Sequence, residues 1–375
     1  MGLIGKYIYG VINSIPHLST EENLLEAKSW GANGVYPVRN IADADPVSGL
    51  FSNGADKEGK ISNGVYTICY QDISAVVTDS EIVDYTHMLK DALAKQLITH
   101  QRVIERIMLD HTIIPMRLGT FAVDVDEVRH ILAKGYPIIK DIFKKVFGKI
   151  EIDVAVTWSD FNSVVKEVGE EKEIKEFKER LLANPKGITV DDQMKVGAMV
   201  KGHLDKKREK YALEIEKSLN KVSEDIKIHD LMDDAMLINV AFLINRLKLG
   251  DFEKGIEELN NRFAEKLNFR CVGPLPPYSF YTLEIKKMQF EEIDWARNKL
   301  GILNDFTTKD AIKKAFQVRA TSSHPDKNPE IPGMEREFDK VTKAYRILWE
   351  YCQEDSCSLN KDEFEKNAIL VKVRG

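Results

Sequence analysis

Residues 307–348 carry the pattern that most constrains how this chain can fold. Two apolar-striped stretches flank a segment that cannot continue a helix. In the first, Ile312, Ala315 and Phe316 recur at helical spacing, and Thr307 with Asp310 has the spacing of a capping box. In the second, Phe338, Val341, Ala344, Tyr345 and Leu348 line one face. Between them, Asn328-Pro329 and Ile331-Pro332-Gly333 break the chain, because proline lacks an amide donor and glycine tolerates positive φ. Two such helices bury their stripes by packing as a hairpin. The polar run Ser323-His324-Pro325-Asp326-Lys327-Asn328 is then held at its exposed end.

That layout, over about residues 292–352, resembles a J domain, the module by which DnaJ-type proteins engage DnaK-type chaperones. The likeness takes in Leu300-Gly301-Ile302, Lys313-Lys314-Ala315-Phe316, His324-Pro325-Asp326-Lys327-Asn328, and Phe338 through Leu348. It implies that His324, Pro325 and Asp326 stimulate the ATPase of a DnaK-type partner, with Lys313, Lys314, Arg319 and Lys327 as chaperone-binding cations. The side-chain chemistry agrees. Pro325 stiffens the loop, His324 offers a donor and an acceptor, and Asp326 offers a carboxylate to a partner's cation. The sequence also departs from the family. The turn before the tripeptide, Ala320-Thr321-Ser322-Ser323, lacks basic residues, and Arg319 stands where the family usually has a buried leucine.

A length of 375 residues exceeds what one core usually serves, so two or three domains are expected. The formal charge of −6 argues against a nucleic-acid partner. No apolar run is long enough to cross a bilayer, so no membrane partner is expected. Cys69, Cys271, Cys352 and Cys357 form no metal-type pairs, and the reading is free thiols in a reducing cytoplasm, Cys69 and Cys271 within strands.

The pattern along the chain predicts a strand at 6–13, a short helix at 24–30, a long loop from Pro37 to Gly64, and a hairpin of strands 65–70 and 73–78 around Gln71-Asp72. A helix over 84–110 follows, with Leu89, Leu93, Leu97, Ile104 and Met108 on one face, then a strand at 113–118. A helix at 124–146 leads to an alternating strand at 150–158 with one buried face. Charged helices span 161–182 and 191–221, and an apolar run at 235–244 reads as a central strand. A helix at 252–263 and a strand at 269–272 precede a proline-rich connector and a strand at 281–285. The fold class is α+β. Residues 1–121 form a first α+β domain. Residues 122–290 form a second, ferredoxin-like with a helical insertion. A small all-α J-like hairpin at 291–352 and a tail at 353–375 complete the chain, and Ile369–Val373 could be either a strand or a frayed end.

Residues 1 to about 300 are similar to the gas vesicle protein GvpL/GvpF family. The stretches that carry this, in order, are Lys6-Tyr7-Ile8-Tyr9-Gly10-Val11, Tyr70 through Val77, His100, Ile114 through Thr120, Gly148 through Glu151, Ala241-Phe242-Leu243, and Gly273 through Phe280. The family takes part in forming hollow, gas-filled protein shells, as minor components or assembly factors without enzymatic activity. A shell subunit has an apolar face toward the gas and is an aggregation hazard before insertion. The resemblance implies vesicle shell and accessory proteins as partners, a DnaK-type chaperone as a further one, and a cytoplasmic place beside gas vesicles. Two roles follow: an assembly factor that recruits the chaperone, or a minor structural component whose J-like module no longer stimulates one.

Enzyme signatures are missing. No His-Glu-x-x-His, Gly-x-Ser-x-Gly, phosphate loop or dinucleotide fingerprint occurs, and no cofactor is expected. His100, near the stripe from Leu97 to Ile104, reads as a hydrogen-bonded core histidine, and Arg117 as half of a structural ion pair.

Overall fold

A computed structural model describes residues 2–13, 35–37, 64–184, 187–327, 330–364 and 368–375. The expected helix at Leu24–Trp30, residues 38–63 of the expected loop, and Asn328-Pro329 lie outside the described residues. Contacts gather the chain into two compact units. One takes 1–102, 116–141 and 283–374. The other takes 103–115 and 142–282, with Gly375.

The first unit is built on an antiparallel sheet. Strand β1 (Ile4–Asn13) pairs with β4 (Ile73–Glu81), β4 with β3 (Tyr66–Tyr70), and β3 with β2 (Val35–Pro37). Tyr7, Ile8, Tyr9, Val11 and Ile12 are all buried, as befits a strand covered on both faces. The β3–β4 hairpin turns at Gln71, whose φ of 52° gives the tight reversal. Asp72 ties that turn to the helix at Val125–Val146, accepting from Tyr136 Oη at 2.7 Å and Lys140 Nζ at 2.5 Å.

Helix α1 (Lys90–Met108) begins six residues later than expected. Asp84 caps a separate 3-10 turn at Tyr85–His87, accepting from the Thr86 amide at 2.8 Å. The expected stripe is half right. Ile104 and Met108 are buried, whereas Leu89 is 82% and Leu97 42% exposed. Only the later turns pack on a core, and their face runs through His100, Val103, Ile104 and Ile107. After β5 (Ile113–Pro115), strand β6 (Phe121–Ala122) pairs with β1, and α2 (Val125–Val146) follows.

The second unit contains β7 (Lys149–Trp158), α3 (Phe161–Gly169), α4 (Lys172–Leu182), α5 (Val190–Leu219), β8 (Asp225–Ile228), β9 (Met236–Asn245), α6 (Leu249–Arg262) and β10 (Leu267–Leu275). Its antiparallel sheet has the order β10-β7-β9-β8, which is the βαββαβ ferredoxin-like arrangement with its first crossover expanded to three helices. The expected central strand is β9, buried along nearly all its length. The single helix expected over 161–182 is two. Val168 and Gly169 turn into the core, and Glu171 takes extended backbone (φ −60°, ψ 141°) before α4 starts. Prolines 276 and 277 lie buried between β10 and the following strand.

The chain re-enters the first unit through β11 (Thr282–Lys287) and runs through α7 (Phe290–Leu300), β12 (Phe306–Thr308), α8 (Lys309–Ser323), α9 (Met334–Tyr351), β13 (Ser356–Ser358), α10 (Lys361–Phe364) and β14 (Ile369–Arg374). Strands β12 and β13 pair, and β14 pairs with β11, so the last residues form a strand rather than a frayed end. All four cysteines are free thiols, Cys69 in β3 and Cys271 in β10.

Candidate functional site

Three helices hold the His-Pro-Asp tip. Ile293, Ala296 and Leu300 of α7, Ile312 of α8, and Val341, Ala344, Leu348 and Tyr351 of α9 share one core. Gly301 ends α7 with φ 77°, a left-handed cap that a side chain resists. Helix α8 is capped by Thr308, whose hydroxyl accepts from the Ala311 amide at 3.1 Å, one residue later than the expected Thr307. Thr307 lies instead in β12, opposite Cys357.

Aromatic contacts join α8 to α9 up to the tip. Phe316 stacks on Tyr345 with centroids 4.4 Å apart, and His324 meets Phe338 edge-on at 5.3 Å. Ser323 Oγ donates to the Arg319 carbonyl at 2.8 Å and closes the helix. Pro325–Lys327 form one 3-10 turn, in which the Lys327 amide donates to the His324 carbonyl at 3.1 Å. The Asp326 amide donates to His324 Nδ1 at 3.2 Å. A backbone amide can only donate, so Nδ1 is the acceptor and the neutral ring carries its proton on Nε2. The His324 side chain is 39% exposed and that of Asp326 87%. The tip therefore offers a fixed imidazole and a solvated carboxylate.

His324, Pro325, Asp326 and Lys327 thus fall together. Lys313 and Lys314 are exposed on α8, about 15 Å from the tip along the helix at ~1.5 Å per residue. Arg319 is exposed too, but its guanidinium folds back over Gly301, where an added Cβ would lie 2.9 Å from Nη2. The last turn of α8 contains no basic residue.

Sequence reading missed what anchors this lobe. Glu350 of α9 receives Lys286 of β11 at 2.5 Å and Lys372 of β14 at 3.0 Å. Arg117 pairs with Glu284 as expected of a structural ion pair, and the Arg117 amide donates to the Leu283 carbonyl at 2.8 Å. Val371 comes so close to Gly135 that a Cβ there would lie 3.0 Å from it. These partners are distant in sequence, and no local pattern marks them.

Two further polar side chains, His100 and Glu151, are buried away from the tip. His100, 3% exposed, places Nε2 3.1 Å from the Met116 carbonyl, which only accepts. Nε2 is therefore protonated, and Nδ1 accepts from Tyr7 Oη at 2.8 Å. Burial holds the ring's pKa down at about 4. In the second unit Glu151 is also buried, and burial raises its carboxyl above the usual range. Glu151 accepts from the Ser279 amide at 2.9 Å and hydroxyl at 2.7 Å, while His229 Nε2 lies 3.0 Å from the same hydroxyl. Because the Ser279 proton is directed at Glu151, His229 Nε2 faces the hydroxyl as a donor. This is a clamp on the 276–280 segment rather than an activated nucleophile.

Residues 5–282 match the family model of the gas vesicle synthesis protein GvpL/GvpF. The chain belongs to the GvpL/GvpF family. Gas vesicle protein F of Nostoc sp. is 22% identical over 57% of this chain and 91% of its own. The crystal structure of gas vesicle protein GvpF from Anabaena sp. covers 74% of this chain and 97% of its own, with a TM-score of 0.54 at 19% identity, and shows the shared fold. Residues 298–353 match the DnaJ domain model. Over 50 residues, 13% of this chain and 12% of the relative, they are 48% identical to an uncharacterized J domain-containing protein of Schizosaccharomyces pombe. A GvpL/GvpF body thus carries a J domain at its C-terminal side, and among the described residues no helix is long and apolar enough to cross a membrane.

Proposed function

We propose that this protein is a gas vesicle assembly factor that recruits a DnaK-type chaperone. In this reading residues 1–121 and 122–290 are two α+β domains that hold a vesicle shell or accessory protein. Residues 291–352 bring the chaperone to it, and 353–375 brace that module. His324, Pro325 and Asp326 are the stimulating tripeptide, with Lys313, Lys314, Arg319 and Lys327 as candidate docking cations. The protein acts beside gas vesicles in the cytoplasm and catalyses no reaction itself. The observation that carries the reading is the stiff, exposed His324–Asp326 tip on a chain of this family. Linking the two binding functions raises the chaperone's effective concentration at a subunit that would otherwise aggregate.

A specific observation favours a second reading, a structural component with a silent J domain. The α8 surface beside the tip is short of cations, and Arg319 is folded back. Affinity purification of the full chain from cells making vesicles separates the two. The first reading expects vesicle proteins and a DnaK-type chaperone together, with the chaperone lost in Asp326→Asn. Recovery of vesicle proteins with no chaperone in either case supports the second. Recovery of neither overturns both.

A further inference from the structure

The sheet of the second unit has an open edge. β10 pairs with β7 on one side, and among the described residues no strand pairs on its other side. The register fixes which backbone groups face out. The Ser159 amide donates to the Lys266 carbonyl at 2.9 Å, so in antiparallel alternation Asn268, Arg270 and Val272 bond to β7. The amides and carbonyls of Phe269 and Cys271 are left toward the open edge. Pro274 and the bulge between Val272 and Leu275 close the far end, leaving about six residues of usable edge.

Helix α6 packs beside this strand, and between them runs a groove of about 430 Å³. Ile152, Phe252, Ile256 and Phe269 supply an apolar lining, and Glu253 and Glu257 line the helix side. Both glutamates are exposed, neither makes an ion pair among the described residues, and they are four residues apart on one helix. Like charges at that spacing weaken a helix unless something neutralises them. An edge strand beside a helix, with a pocketed groove between, is the arrangement by which an extended peptide is added to a sheet.

We propose that the groove between β10 and α6 binds an extended segment of a partner chain, added as a fifth strand, in which every second residue faces α6 and these are by turns apolar and basic. Its backbone bonds to Phe269 and Cys271, its apolar side chains enter the groove, and its Lys or Arg residues meet Glu253 and Glu257. This deepens the reading of residues 122–290 as part of a partner-holding body, and rests on it for the partner's biological identity. The peptide measurement below fails or succeeds separately from vesicle association.

The test uses the full chain and two labelled octapeptides, Thr-Val-Thr-Lys-Thr-Val-Thr-Lys and the same sequence with Glu in place of Lys, so that Val and the charged residue share one face of the strand. Fluorescence anisotropy should show the Val/Lys peptide binding at least about tenfold more tightly, weakening as salt rises. Glu253→Lys with Glu257→Lys, both at solvent, should invert the preference while leaving the circular dichroism spectrum unchanged. Hydrogen exchange followed by NMR should slow at the Phe269 and Cys271 amides when the peptide binds. No binding of either peptide, equal affinity for both, or a preference that survives the charge reversal overturns the proposal. Protection confined to α6, with Phe269 and Cys271 still exchanging fast, also overturns it, since the occupant is then not a strand. If the peptides fail while vesicle proteins still co-purify, the groove is wrong and the body's role stands.

Discussion

The core around His100 and the tip around His324 use one side chain in opposite ways. At His100 both ring nitrogens are committed, Nδ1 to the Tyr7 hydroxyl and Nε2 to the Met116 carbonyl, and Tyr9 stacks on the ring with centroids 5.7 Å apart. At His324 one nitrogen is held by the Asp326 amide, Phe338 supports the ring from its own chain, and two-fifths of the side chain faces water. The first histidine holds a sheet together. The second sits at the surface on a short turn, partly open to solvent. Burial separates the two settings, and residue type alone does not.

That contrast is sharpest in stability. His100→Ala strands a buried hydroxyl and a carbonyl and opens a cavity, and should cost about 3–4 kcal/mol in urea unfolding. His324→Ala should cost no more than about 0.5 kcal/mol. Comparable losses at the two sites would erase the distinction.

Acid gives the next effect. The His100 pKa lies at about 4 in the folded chain against an ordinary 6.5. As pH falls through that window the unfolded ring binds a proton that the folded ring refuses, so stability falls by about 3 kcal/mol. A pH titration of the urea midpoint should show this loss, and His100→Asn should lack it. Glu151 has the opposite sign. Its carboxyl is held above the usual range by burial, so the folded form keeps its proton longer and stability falls as pH rises. Glu151→Gln should flatten that alkaline slope while keeping an acceptor for Ser279. A steeper slope in the variant would contradict the burial argument.

Phe338→Ala comes next, at about 1 kcal/mol, because the ring is only partly covered. Its larger consequence should be a looser tip, seen as faster hydrogen exchange at Asp326 and Lys327 with the rest of α9 unchanged.

Much of this was legible in the sequence. Local periodicity placed β1, the β3–β4 hairpin, β7, β9 and the α8–α9 hairpin, because each buries a stripe against near neighbours. It erred where burial depends on distant layers. Leu89 and Leu97 have the right spacing but are exposed, Leu89 just ahead of α1. The 161–182 helix breaks because Val168 turns inward, which charge patterning does not reveal. The tip residues His324, Pro325 and Asp326 were readable because they are contiguous. The brace around Glu350 and the groove beside β10 were not, since Lys286, Glu350 and Lys372 meet only in the folded chain.

The central claim is that the exposed histidine acts on a DnaK-type chaperone, and single-turnover ATP hydrolysis by that chaperone measures it directly. The full chain should accelerate hydrolysis several-fold, and His324→Gln, equally stable in urea, should abolish the acceleration. Hydrolysis unchanged by the intact protein, or accelerated equally by the variant, would contradict the account.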